Sequence, residues 1–203
     1  MSTDSFNAIV LAGGRSGRMQ ADKSLLPVCG QAMVERVVSQ LRPLAEEVLI
    51  SAAEENKYSF MGCRIVLDRT PGQGPLMGIF SALNESDTDL NFITACDIPD
   101  LDSGFILYMS SKSNERDIVV PRSGPGLFEP LFAFYRRSLI PCIAKMLAAG
   151  EKKISPLFAA CRTEYVDLPE GMTLQNLNTK EDFQAYLESL AGCSAVLSEE
   201  KND

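Results

Sequence analysis

The stretch Leu11-Ala12-Gly13-Gly14-Arg15-Ser16-Gly17-Arg18-Met19-Gln20-Ala21-Asp22-Lys23-Ser24-Leu25-Leu26-Pro27 holds the residue types that grip a polyphosphate. Paired glycines bring backbone N–H groups close to an anion, because glycine has no Cβ to hold the ligand away and accepts positive φ. Arg18 and Lys23 follow within one loop and add fixed positive charge around the phosphates. Arg15 stands beside them, although an adjacent loop arginine is more often solvated. A P-loop places glycine directly before its Lys-Ser/Thr, and here Asp22 precedes Lys23-Ser24; a dinucleotide fingerprint needs G-x-G-x-x-G, which Gly13-Gly14 and Gly17 do not form. For Gly13-Gly14 alone the alternative is a turn whose glycines only make the bend. Gly17 and two spaced cations favour phosphate.

The carboxylates point the same way. The chain contains no histidine, which removes imidazole as general base, metal ligand or triad member. Chemistry must then rest on carboxylates, cations, backbone dipoles and a metal. Nucleotidyl transfer has these requirements: an attacking phosphate oxygen is already anionic, so the protein supplies positioning and positive charge. Asp97, after an apolar run and before Ile98-Pro99, is the candidate Mg²⁺ ligand, since magnesium takes one or two carboxylates and fills its other positions with phosphate and water. Its alternative is a helix cap, a role that Asp100 and Asp102 suit better. Asp68 is placed to accept from a guanine edge, whose N1–H and N2–H suit a carboxylate while cytosine offers only an exocyclic amine, or to sit near the phosphates. Asn176 and Asn178 lie two apart and face the same way if extended; an Asx turn ahead of a helix is the equal alternative. Lys152 and Lys153 can meet a phosphate or form a solvated helix end.

These residues need elements to position them. Phe6 to Val10, Val48 to Ile50, Arg64 to Leu67 and Asn91 to Cys96 read as short buried strands. Between them, a stripe of Met33, Val34, Val37, Val38 and Leu41 predicts a helix over 31–42, and Pro75 starts one running to about Asn84. This alternation is the signature of a parallel sheet built from βαβ units, and right-handed crossovers gather the strand ends on one edge. Gly13, Asp68 and Asp97 each follow a strand and so converge on one crevice. Later, a helix over 102–111 capped by Asp102, strands over 117–121 and 131–135, a helix over 137–149 ended by Gly150, and a strand near 163–166 are expected. Thr179 and Asp182 form a reciprocal cap on the last helix. Beyond Gly192 the tail is expected to fray, giving a domain over 1–190 and a flexible segment over 191–203.

The 203 residues, 45% hydrophobic, allow one well-packed domain. A net charge of −8 argues against nucleic acid, and no apolar run spans a bilayer, so a soluble, cytoplasmic protein is expected. The six cysteines form no C-x-x-C pair, which leaves no zinc knuckle; most are expected to be small buried hydrophobes.

The pattern LAGG-x-S-x-R-M-x-x-x-K-x-L-L-P resembles the signature loop of glycosyltransferase-A-like nucleotidyltransferases. With Gly74-Pro75-Leu76-Met77-Gly78-Ile79, Cys96-Asp97-Ile98-Pro99 and Asn176-Leu177-Asn178-Thr179, the chain resembles the molybdenum cofactor guanylyltransferase family (molybdopterin-guanine dinucleotide biosynthesis protein A) from its N-terminus to about residue 180. The resemblance implies a single-domain, Rossmann-like three-layer α/β/α sandwich with a mostly parallel mixed sheet, of the nucleotide-diphospho-sugar transferase type. It implies transfer of GMP from Mg²⁺-GTP to molybdopterin with release of pyrophosphate. By the same resemblance Arg18, Lys23 and Asp97 are catalytic and Asp97 holds the metal. Leu11, Ala12, Gly13, Gly14, Lys23, Ser51, Asp68, Gly74 and Asp97 bind the nucleotide, and Lys153, Asn176 and Asn178 the pterin or phosphate of the acceptor. GTP and molybdopterin are the implied partners, with transient contact to other cofactor-biosynthesis proteins and a monomer or weak homo-oligomer. Three positions depart from the family pattern: Ser51 for an asparagine, Lys153 for an arginine, and Ala95 for the proline before Cys96-Asp97. The rival readings are CTP with molybdopterin, a nucleoside triphosphate with a sugar phosphate, and a nucleotide-binding module without turnover; Gly74-Pro75-Leu76-x-Gly78-Ile79 favours the guanylyl version.

Overall fold

The computed structural model describes residues 5–12, 22–70 and 72–199, with side chains up to residue 190. β1 (Asn7–Leu11) is followed by a small antiparallel hairpin, β2 (Pro27–Val28) and β3 (Gln31–Ala32). Then come α1 (Met33–Leu41), β4 (Val48–Ala52), β5 (Arg64–Leu67), α2 (Pro75–Glu85) and β6 (Leu90–Ala95). The second half holds α3 (Ser103–Ser111), β7 (Ile118–Gly124), β8 (Leu127–Phe128), β9 (Phe132–Arg136), α4 (Ile140–Ala148), α5 (Ser155–Ala160), β10 (Thr163–Asp167) and α6 (Lys180–Glu199).

Seven strands run in the order β10-β7-β9-β6-β1-β4-β5, with β8 paired to β7. β6, β1, β4 and β5 are mutually parallel, and β9 is antiparallel to both its neighbours. The C-terminal ends of the parallel strands and the N-terminal end of β9 therefore share one edge, where the Ala95 N–H donates to the Leu131 carbonyl at 3.0 Å.

The sheet is buried on both faces, as its continuous apolar strands require. Ala8 and Val10 face a cluster with Val34, Leu41 and Phe105, while Ile9 and Leu11 face one with Leu76, Ile79 and Ile143. A third, smaller cluster joins Val28 and Met33 to Leu177 and Tyr186. It packs α6 and the segment before it against the hairpin.

Several local expectations change. The helix expected over 31–42 begins at Met33, because Gln31 and Ala32 pair with Val28 and Pro27 across a Cys29-Gly30 turn with φ of 49° and 84°. The Ala32 N–H is then capped by Glu35 at 2.7 Å. The helix expected over 137–149 opens as a 3-10 turn over Arg137–Leu139. Thr179 and Asp182 form the reciprocal cap, at 2.8 and 3.0 Å, on a helix whose backbone runs to Glu199. Cys29, in the hairpin turn, is exposed, and Cys63, Cys96, Cys142 and Cys161 are half-buried, Cys63, Cys96 and Cys161 at element ends and Cys142 within α4. No helix among the described residues is long and apolar enough to cross a membrane.

Candidate active site

β1 sits at the centre of the edge, with Leu11 opposite Ser51 of β4 on one side and Ala95 of β6 on the other. Ser51 and Asp68 meet on the first side, where the Ser51 hydroxyl donates to Asp68 Oδ1 at 3.3 Å. Burial raises the Asp68 carboxyl above its ordinary value, and the Ser51 bond offsets part of that. α2 approaches them through Gly78, where a Cβ would lie 3.3 Å from Ser51 Oγ and 3.5 Å from both Asp68 Oδ1 and Leu11 Cδ2. Any larger side chain at residue 78 would narrow the cleft. Gly74 caps α2 with φ of +78°, a conformation glycine takes without strain, and its missing Cβ leaves room for the Lys152 carbonyl.

On the other side of β1, Lys23 Nζ stands 3.9 Å from Asp97 Oδ2 and 3.3 Å from Asn178 Oδ1. Lys23 is carried by a 3-10 turn over Lys23–Leu25 whose N-cap is Asp22. Asp97 is mostly buried, and burial raises its carboxyl while Lys23 opposes the shift. The Asp97 carbonyl accepts the Leu177 N–H at 2.9 Å, which ties the segment before α6 to the loop after β6. Asp97 is not a helix cap: Asp102 takes that role by accepting the Phe105 N–H at 2.7 Å. Asp100, expected to cap as well, instead accepts from Arg36 at 2.6 Å and from the Tyr186 hydroxyl at 2.9 Å, since it faces α1 and α6 rather than the start of α3.

The two asparagines do not act as a facing pair. Asn178 accepts from Lys23, whereas the Asn176 side chain acts on Glu129, because the backbone turns between them and the Asn178 N–H returns to the Asn176 carbonyl at 3.0 Å. Burial raises the Glu129 carboxyl, with Asn176 opposing. Glu129 lies on the loop before β9, and nothing in its local sequence marks it; only the sheet order brings it to this edge. The sequence also passes over Tyr58, Ser24 and Asp22 as a group, although Asp22 directly before a lysine turn was a capping signal.

Lys152 packs against Gly74, and the Lys152 and Lys153 N–H groups both donate to Glu151 Oε1, at 2.9 and 2.8 Å. This sets Lys153 beside the start of α2, and among the described bonds it does not touch Asn176 or Asn178. Gly13, Gly14, Arg15 and Arg18 lie outside the described residues. Among the described residues no group of three or more His, Cys, Asp or Glu side chains forms a ready metal cage, so Asp97 would hold a cation only together with ligand oxygens. A cavity of about 660 Å³ lined by Asp102, Phe105, Tyr108, Asp167, Glu170 and Met172 opens beside α3, apart from Lys23 and Asp97.

An open, mostly parallel sheet with β8 and β9 antiparallel, and a lysine and carboxylates gathered at its parallel strand ends, defines an α/β protein of the nucleotidyltransferase type. Residues 8–165 match the MobA-like NTP transferase domain, and the chain belongs to that family. It is 35% identical over 185 residues to a probable molybdenum cofactor guanylyltransferase of Carboxydothermus hydrogenoformans, covering 88% of this chain and 93% of that one. It is 30% identical to the molybdenum cofactor guanylyltransferase of Vibrio cholerae, covering 88% and 89% of the two chains. In fold it is similar to the crystal structure of molybdopterin-guanine dinucleotide biosynthesis protein A from Archaeoglobus fulgidus, with a TM-score of 0.77 at 20% identity over 92% of this chain and all of that one.

Proposed function

We propose that this protein transfers GMP from magnesium-bound GTP to the phosphate of molybdopterin and releases pyrophosphate. The observation that carries the reading is the meeting of Lys23, Asp97 and Asn178, three distant parts of the chain, beside Ser51 and Asp68 on one sheet edge.

An acceptor phosphate oxygen forms a bond to the α-phosphorus while the bond from that phosphorus to the bridging oxygen breaks, and the electron pair leaves with pyrophosphate. The acceptor is already an anion, so no general base is needed. Lys23 neutralises charge on the phosphate oxygens, with Arg18 and the Gly13 and Gly14 N–H groups as further donors to the triphosphate. In the free protein Lys23 is the countercharge of Asp97, and the nucleotide's phosphates replace that pairing. Asp97 would hold magnesium, and the donor set fits: a mostly buried carboxylate beside an amide oxygen suits a hard cation that takes its remaining oxygens from phosphate and water. When bound, that ion supplies neutralising charge to the triphosphate.

Asp68 accepts the guanine N1–H and N2–H, with Ser51 steadying one of its oxygens, and Gly74 and Gly78 let α2 close over the nucleotide. Asn176, Asn178 and Lys153 serve the acceptor side. Pyrophosphate release measured with GTP, CTP, ATP and UTP, each with molybdopterin, tests the reading. GTP is expected to be preferred. Preference for CTP would overturn the base assignment, and GTP binding without pyrophosphate release would overturn turnover.

A further inference from the structure

The turn that carries Lys23 is anchored by a chain of oxygens, buried except at its Asp22 end, that the transfer chemistry does not use. Tyr58, in the 3-10 stretch Asn56–Met61, is fully buried, and its hydroxyl donates to the Ala12 carbonyl at 2.9 Å. The same hydroxyl lies 2.8 Å from Ser24 Oγ, and Ser24 is also buried. The Ser24 hydroxyl and N–H both donate to Asp22 Oδ1, at 2.6 and 3.1 Å. The other Asp22 oxygen pairs with the Lys57 ammonium, which stands 5.1 Å from the centre of the Tyr58 ring.

Ala12 ends β1's approach to the glycine-rich stretch, and Asp22 begins its exit. One side chain from elsewhere in the chain thus spans both stems. The arrangement is also short of protons. A carbonyl and an ionised carboxylate bring none, so three oxygen–oxygen contacts share the two hydroxyl protons. Tyr58 can give its one proton to the Ala12 carbonyl or to Ser24 Oγ, and its hydroxyl is the polar atom that touches both stems. A tyrosine needed only for packing would not require its hydroxyl to lie here, since the ring is already enclosed in the core with Val34, Ile50 and Met61.

We propose that Tyr58, acting through Ser24 and Asp22, is a positioning residue that fixes the span between Ala12 and the Lys23 turn, and so the place of Lys23 Nζ against the triphosphate. This rests on Lys23 being the phosphate-binding cation of the proposed reaction.

The test uses the full chain and measures calorimetric binding of GTP with magnesium, KM for GTP and for molybdopterin, and melting temperature. Tyr58→Phe keeps the ring and deletes the hydroxyl. It is expected to weaken GTP binding and raise the GTP KM about tenfold, as one net hydrogen bond implies, with the molybdopterin KM unchanged. Ser24→Ala leaves the Tyr58 bond to Ala12 in place and is expected to weaken GTP by about threefold. In a Lys23→Ala background, Tyr58→Phe should lose most of its effect, because the two act as one unit. Wild-type GTP affinity in Tyr58→Phe, an equal rise in both KM values, or an undiminished effect in the Lys23→Ala background would each overturn the clasp. If the wild-type protein binds CTP in place of GTP, the guanylyl reading fails, and the same comparisons made on CTP still decide the clasp; if it binds no triphosphate, both fall.

Discussion

Leu11, Ser51 and Asp68 hang from the ends of neighbouring parallel strands, whereas Lys23, Asn176 and Asn178 are held by a short turn and an irregular segment packed under the last helix. The first group inherits its geometry from the sheet. Each strand's hydrogen-bond register fixes where the next residue emerges, so a side chain one or two positions past the strand has little freedom. The second group depends on the small cluster of Val28, Met33, Leu177 and Tyr186 and on single bonds such as that from Leu177 to the Asp97 carbonyl. On the proposed reading, the nucleotide side of this site is therefore built into the fold, and the acceptor side is fastened onto it. Lys23 and Asp97 stand where the two meet.

Removing that junction should have the largest effect. Lys23→Ala and Asp97→Ala are each expected to lower the rate by a few hundredfold or more, the equivalent of roughly 3 kcal/mol of transition-state stabilisation. Single-turnover pyrophosphate release checks this, and a near-wild-type rate in either variant removes that residue from the mechanism. Asp68→Asn probes the sheet-borne side alone. The loss of a carboxylate facing two guanine donors should reduce discrimination of GTP over CTP by about tenfold or more, while the molybdopterin KM stays level. Competition assays with both triphosphates measure it, and unchanged discrimination would detach Asp68 from the base.

Glu129→Gln probes the fastened side. It removes the carboxylate charge that Asn176 offsets without leaving a void, so the molybdopterin KM is expected to rise by about threefold with the GTP KM unchanged. A change confined to GTP would reverse the division of the site.

The smallest effect is on stability. Asp68 has its carboxyl raised by burial, so the folded state holds this proton more tightly than the unfolded state. Stability from this group is gained as pH falls through the raised folded value, and it is lost as pH rises back through it. Melting temperature followed against pH should show that gain in the wild type and a flatter profile in Asp68→Asn. Identical profiles would mean that Asp68 is solvated like an ordinary surface carboxylate.

The difference between the two halves also explains what was legible in advance. Strand ends can be read locally, because a buried strand shows itself as a short apolar run and the next polar residue emerges at the edge. The positions of Asp68 and Asp97 past their strands are legible that way, and the Thr179 and Asp182 cap is legible from spacing alone. The partners of Asn176 and Asn178 were not, since an extended dipeptide rule assumes a backbone that here turns between them. Asp100 reads locally as a cap for a similar reason: its partners Arg36 and Tyr186 lie far along the chain in both directions.

By itself the sequence determined the alternation of buried strands and helices, the parallel sheet, and a crevice at the strand ends bearing a lysine and two carboxylates, because apolar periodicity and glycine placement are local properties. Only the tertiary structure decided that Lys23 reaches both Asp97 and Asn178, that Glu129 joins the same edge through an antiparallel strand, and that a buried tyrosine links the two stems of the glycine-rich stretch. Those contacts depend on which elements pack side by side, and that is settled by burying apolar surface across the whole chain, which no local spacing encodes.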